Sequence, residues 1–186
     1  MELAELLIIA VGVSMDAFAV SICKGLSVRN IRPKHAFTAA LWFGGFQALM
    51  PVLGYFLGVS FADFVSSVDH WIAFILLGII GSNMIRESFH KEESCCIDPD
   101  FSFKTMLAMA VATSIDALAI GVSFAFLKVN IWTAVLMIGL TTGMFSAIGI
   151  YIGNVFGNRY KSKAEFAGGF ILVVMGLKIL IDHTMV

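Results

Sequence analysis

The sequence predicts an all-α membrane protein, with six transmembrane helices arranged as a 3+3 inverted repeat. Three observations carry that prediction. Residues of the apolar set AVILMFWYC fill 59% of the 186 positions and charged residues only 13%, about half the charged share of a water-soluble domain. The apolar residues fall into six runs divided by polar punctuation. A motif in the first run also returns one hundred residues later, in a run that must cross in the opposite sense.

At about 20 residues per crossing, this length holds six spans, short loops and no extramembrane domain. The runs are Leu3 to Cys23, Ala36 to Val59, Trp71 to Ile85, Thr105 to Leu127, Ile131 to Phe156 and Phe166 to Ile181. Lipid offers the backbone no partner, so each run is expected to be a helix, which pairs its own amides. The first run is expected to stay in the chain, although Ala17-Phe18-Ala19 resembles a signal-peptide cleavage site. Its start, Met1-Glu2-Leu3-Ala4-Glu5, is acidic where a signal peptide is basic. The run is also too long, and it contains Asp16. The third run is short and borrows its flanks.

Charge sets the orientation. The net charge of −1 offers nothing to nucleic acid, but the basic residues are unevenly placed. The first loop holds Lys24, Arg29, Arg32 and Lys34, the third Arg86, Lys91 and Lys104, and the fifth Arg159, Lys161 and Lys163. The other side has only Lys128 in the fourth loop and Lys178 near the end of the last run. Basic loops stay inside, so the odd loops are expected in the cytoplasm and both termini outside.

The repeat compares Ala10 to Ile22, AVGVSMDAFAVSI, with Ala110 to Val122, AVATSIDALAIGV, identical at six of thirteen positions. At an offset of 95, Gly44, Gly54 and Gly58 align with Gly139, Gly149 and Gly153, Gly81 aligns with Gly176, and Glu87 with Asp182. The chain therefore divides into a first three-helix repeat over 1–90, a cytoplasmic linker over 91–103 and a second repeat over 104–186. Three crossings per half invert the second relative to the first. That arrangement marks secondary transporters, whose site lies near the midplane between the repeats.

Asp16 and Asp116 carry the chemistry. Asp116 is at the centre of its run, and Asp16 is about 4.5 Å from the centre of its own at 1.5 Å per residue. A carboxylate at that depth costs roughly 2.5–3.5 kcal/mol on insertion scales, and such residues mark ion pathways. Two carboxylates have the charge for one divalent cation. Ser14 and Ser114 precede them by two residues, among small residues that let helices approach. Pro51 lies mid-run, where its ring frees the carbonyl of Gln47, four residues earlier. The Gln47 amide adds a second oxygen, and the aligned positions in the fifth run are Thr142 and Ser146. Asn83 is a further candidate in the third run. Carboxylates, carbonyls and hydroxyls suit a hard cation such as Mn²⁺, Mg²⁺ or Ca²⁺. No histidine lies at the depth of the aspartates, which argues against soft metals. The linker residues His90, Cys95, Cys96, Asp98 and Asp100 read as a solvated loop. Three cysteines, two adjacent, give no disulfide framework. With no G-x-x-x-x-G-K-[ST] motif in the sequence, uphill transport must draw on an ion gradient, with protons the expected counter-ion.

The segments Gly12-Val-Ser-Met-Asp-Ala-Phe-Ala-Val-Ser-Ile22 with Lys24-Gly25, and Ala112-Thr-Ser-Ile-Asp-Ala-Leu-Ala-Ile-Gly-Val122, resemble the bacterial manganese efflux pump family MntP. So do Phe46-Gln-Ala-Leu-Met-Pro-Val-Leu-Gly54 and His70-Trp-Ile-Ala-Phe74. The resemblance covers nearly the whole chain. It implies membership of the lysine-exporter superfamily, Mn²⁺ as transported substrate with no resident cofactor, and membrane aspartates at Asp16 and Asp116. Some relatives carry Glu where this chain has Gln47. Two other activities fit parts of the pattern. One is a broader exporter of small cations or amino acids within the same superfamily. The other is an intramembrane aspartyl protease, whose familiar motifs resemble Y-D and G-x-G-D, not the Ser-Met-Asp-Ala and Ser-Ile-Asp-Ala found here. A channel or passive scaffold is a further reading.

The charge bias makes a topological prediction. Cys95 and Cys96 should react with an impermeant thiol reagent only from the cytoplasmic side, and a cysteine placed at Val186 only from outside. Labelling of Cys95 from outside intact cells would overturn the orientation.

Overall fold

The computed structural model describes residues 3–28, 30–65, 69–89, 101–156 and 161–184. They form six helices, α1 (Leu3–Ser27), α2 (Pro33–Val65), α3 (Asp69–Phe89), α4 (Phe103–Phe126), α5 (Ile131–Phe156) and α6 (Lys161–Thr184), with no strand among the described residues. Four of these, α1, α2, α4 and α5, are long and apolar enough to cross a membrane along most of their length. The sequence reading of six helices holds, and for these four the described residues also show the length and apolarity of a span. Helices α3 and α6 have the length, 21 and 24 residues, or about 32 and 36 Å at 1.5 Å per residue. Most of the expected linker lies outside the described residues.

Burial is arranged for lipid. Leu3, Phe37, Leu41, Trp132, Leu136, Leu140 and Met144 are each more than 60% exposed, which would leave a large apolar patch against water. The interior, in contrast, holds Ser14, Ser21, Lys24, Gln47, Ser114, Ser123, Thr142 and Ser146 with no exposure at all.

Helix α1 packs along α5, α2 along α4 and α5, α3 along α6, α1 along α6 and α3 along α4. Small residues set the directions. Phe18 lies against Gly149 and Ile22 against Gly153, so α1 and α5 run parallel. Leu118 lies against Gly54 and Val122 against Gly58, so α4 and α2 run parallel in the same way. Gly44 and Gly139 meet where α2 and α5 cross, with Ala40 near Gly143, so that pair is antiparallel. Glu5 pairs with Lys178 and Gly12 meets Leu172, so α1 and α6 are antiparallel too.

The turn from α4 to α5 is tight. The amides of Lys128 and Val129 donate to the carbonyls of Ala125 and Phe124 at 3.2 and 3.0 Å, and Lys128 takes a left-handed φ of 52°. Asn130 then caps α5, its Oδ1 accepting from the amide of Trp132 at 3.1 Å. Cys23 is disulfide-bonded, a cross-link the cysteine spacing gave no reason to expect, so the thiol labelling above is done on reduced protein.

The glycine contacts are close enough to test. A Cβ at Gly54 would sit 1.9 Å from the Leu118 carbonyl oxygen, whereas one at Gly45 meets nothing within 4 Å. Gly54→Ala should destabilise the protein by about 1–3 kcal/mol, the range for overpacking, and Gly45→Ala should be near neutral. Thermal unfolding in detergent checks both.

Candidate cation site

The two S-x-D-A motifs place equivalent side chains in equivalent ways. Ser14 Oγ donates to the Ala10 carbonyl and Ser114 Oγ to the Ala110 carbonyl, both at 2.6 Å. Each serine satisfies its own proton on the helix and keeps its lone pairs for a partner. Ser14 uses one with Thr142, the two hydroxyls lying 2.8 Å apart across α1 and α5. Gln47, on α2, donates its amide to the Val13 carbonyl at 3.0 Å. Its Oε1 has no hydrogen-bond partner, and neither has Ser146 Oγ or Ser21 Oγ. A buried polar oxygen left unpaired in this way costs about 1–3 kcal/mol. All three residues are fully buried.

The aspartates face elsewhere. Residues two apart on a helix are about 200° round from one another at 100° per residue, so Ser14 and Asp16 do not share a face. Asp116 is half-buried and lines a cavity of about 700 Å³ with Phe74, Ser82, Asn83 and Arg86 of α3 and Val173 and Leu177 of α6. Asp16 is half-buried on α1 and is not part of that lining.

The residues singled out by sequence therefore divide into two groups. Ser14, Thr142 and Gln47 meet among α1, α2 and α5, through the Ser14–Thr142 contact and the bond from Gln47 to the Val13 carbonyl; Ser146 is buried one turn further along α5, and Asp116 and Asn83 share the wider cavity. Ser114 is buried on α4. Pro51 is buried within α2, which runs through it as one helix. Its carbonyl lies against Gly121, where a Cβ would be 2.2 Å away. No group of three or more His, Cys, Asp or Glu residues gathers among the described residues. Sequence reasoning missed Ser21, because a serine in a helix of small residues has no distinguishing pattern. It also counted Arg86 as a loop charge, although the side chain lines the cavity with Asp116. Lys178, which aligns with Asn83 at the offset of 95, is tied to Glu5.

An apolar exterior around an interior of unpaired oxygens defines a multi-pass membrane protein with a polar interior. Comparison with known proteins gives its family. Residues 30–180 match the family model described as "Putative manganese efflux pump", and the chain belongs to that family, MntP. Relatives described as "Putative manganese efflux pump MntP" include that of Acetivibrio thermocellus, 60% identical over 98% of this chain and 92% of its own. The protein of Desulfitobacterium hafniense is 58% identical, covering 96% and 94%, and that of Bifidobacterium adolescentis 56%, covering 97% of both. No solved structure matches.

The paired and unpaired hydroxyls should respond differently to removal. Ser14→Ala takes a partner from Thr142 and should lower stability by about 0.5–1.5 kcal/mol. Ser146→Ala removes an oxygen with no partner and should leave the unfolding temperature unchanged or higher.

Proposed function

We propose that the protein is a secondary transporter that exports Mn²⁺ across the bacterial plasma membrane and takes protons in return. The observation that carries this reading is the buried, unpaired Gln47 Oε1 and Ser146 Oγ, in a chain 56–60% identical to proteins described as "Putative manganese efflux pump MntP". Neutral oxygens with carboxylates nearby suit a hard cation. On this reading Asp116 and Asn83 receive the ion with part of its hydration shell, in a cavity roomy enough for both. Gln47, Ser14, Thr142 and Ser146 replace water in the buried interior. Asp16 and Asp116 supply the charge, and Ser114 holds the second motif in the same geometry as the first. The chain is then a transporter and not an enzyme.

The proposed architecture is six spans in a 3+3 inverted repeat with both termini outside. Exchanging the halves supports it, because every packed helix pair maps onto another packed pair. The α1–α5 pair becomes α4–α2, α1–α6 becomes α4–α3, and α2–α5 and α3–α6 become themselves. The Gly54–Leu118 contact becomes Gly149–Phe18, with the alignment offsets kept.

Export runs against an interior-negative potential of about 2.3 kcal/mol per charge per 100 mV, or about 4.6 for a divalent ion. Exchange of one Mn²⁺ for two protons is electroneutral and removes that opposition. In proteoliposomes, Mn²⁺ moving in the export direction should drive protons the other way, and collapse of the proton gradient should stop uphill export. Asp16→Asn and Asp116→Asn should each remove most export while leaving the protein in the membrane, and the double variant should be no worse than either. Near-normal efflux in a single variant would release that carboxylate from the site. Uphill export without a proton gradient would point to another coupling ion.

A further inference from the structure

The cavity that holds Asp116 is polar at one end only. Along α3 its wall runs from Phe74, Ile75 and Ile79 to Ser82 and Arg86, a length of about 18 Å at 1.5 Å per residue. Ile75 and Ile79 are 50% and 63% exposed, and Leu177 on α6 is 43% exposed. In a bilayer these apolar flanks face hydrocarbon, which excludes ions. The end open to water is then the other one, where Ser82 and Arg86 are exposed.

Arg86 brings a permanent charge to that end, because a guanidinium is not deprotonated in proteins. Neither Arg86 nor Asp116 has an ion pair or a side-chain hydrogen bond among the described residues, so two opposite charges share one cavity without meeting. Arg86 stands close to the end of α3 at Phe89, and Asp116 is deep in α4, which starts at Phe103. The two positions are about 4.5 and 20 Å from those ends at 1.5 Å per residue. In the proposed six-span arrangement both ends lie on the face of the linker, so the guanidinium stands between that face and Asp116. The charge belongs to one half only. At the offset of 95, Arg86 corresponds to Ile181 and Ser82 to Leu177, and the lysine of that half, Lys178, is tied to Glu5. A basic residue in the last turn of a helix complements the helix dipole, but that role asks for no place in a cavity.

We infer that Arg86 is a charge filter at the mouth of the Asp116 cavity, and that it sets how abundant the metal must be before it is collected. The identity of the cargo rests on the proposed function. Arg86 touches no ion in this role and acts at a distance, by like-charge repulsion, which is twice as large for a divalent cation as for a monovalent one. An exporter whose carboxylate stood in an unopposed cavity would fill at low metal concentration and drain the cell. A fixed positive charge on the way in raises the concentration at which the carboxylate fills and leaves the steps after binding alone.

The test places a cysteine at Ser82 in a chain whose Cys23, Cys95 and Cys96 are replaced by serine. Two methanethiosulfonate reagents of similar size, one carrying a trimethylammonium and the other a sulfonate, are applied from the linker face. Arg86→Gln should raise the ratio of cationic to anionic rates about tenfold, or about threefold for each reagent, as for unit charges about 8 Å apart at an effective dielectric of about 60. Arg86→Lys keeps the charge and should leave the ratio within about twofold of the unaltered value. At about 1 M salt, where the Debye length falls to about 3 Å, the difference should vanish. A loosened fold would speed both reagents together and leave the ratio alone. With the native cysteines present, Arg86→Gln should lower the Mn²⁺ concentration for half-maximal export about threefold and keep the maximal rate, because twice the charge acts at about twice the distance. A ratio unmoved by Arg86→Gln, an equal shift in Arg86→Lys, a shift that survives high salt, no reaction at Ser82→Cys from the linker face, or an unchanged half-maximal concentration would each overturn the filter. The labelling requires no manganese, so a failure of Mn²⁺ export by the unaltered protein would bear on the proposed function alone.

Discussion

Hydrocarbon offers no hydrogen bonds, so a polar atom among the helices of a membrane protein is either paired within the protein or held for something that comes and goes. In this molecule that constraint separates paired oxygens from unpaired ones. Ser114 Oγ and Ser123 Oγ donate back to their own helix, and Thr113 does the same. Gln47 is anchored by its amide nitrogen and leaves its oxygen unpaired. This is the orientation expected of a ligand, because the donor end fixes the side chain and the acceptor end faces the interior.

The small residues make this arrangement possible. Lipid tails are as apolar as leucine, so helices in a bilayer associate through close packing. Here Gly54 lies against the backbone at Leu118 and Gly153 against the backbone at Ile22. Contacts this close draw α1, α2, α4 and α5 together until short side chains such as Ser14 and Thr142 can touch. Bulkier residues at the glycine positions would separate the helices and leave these hydroxyls without reach. The glycine alignment and the meeting of these hydroxyls are therefore two consequences of one packing arrangement.

Much of this was legible in the sequence. Asp16 and Asp116 stood out because a charge inside an apolar run is costly, and Gln47 because Pro51 follows it by one turn. Helices α3 and α6 were legible as apolar runs that stop short of the helix ends, because helices of 21 and 24 residues carry their polar flanks with them. The grouping of side chains was not legible. The motif brings Ser14 and Asp16 together in sequence, but helical geometry turns them to different neighbours, and only the packing of α3 and α6 shows what Asp116 faces. Lys24 was hidden for a related reason. The apolar run ends at Cys23, so the next residue reads as a loop charge, yet α1 continues to Ser27 and carries the lysine inside.

The two S-x-D-A segments show how far a shared sequence fixes a shared role. Ser14 and Ser114 each donate to the carbonyl four residues back at 2.6 Å, so the local geometry is the same in both. Their surroundings are not the same. Ser14 touches Thr142, whereas the residue aligned with Thr142 is Gln47, which bonds to the Val13 carbonyl on α1. The positions aligned with Ser21, Ser146 and Lys24 hold Gly121, Pro51 and Phe124. A helix can therefore keep its backbone contacts, set by the glycines, while the side chains between them are exchanged one by one. Because no arrangement of side chains supplies work, such exchanges leave the direction of any transport to the ion gradients.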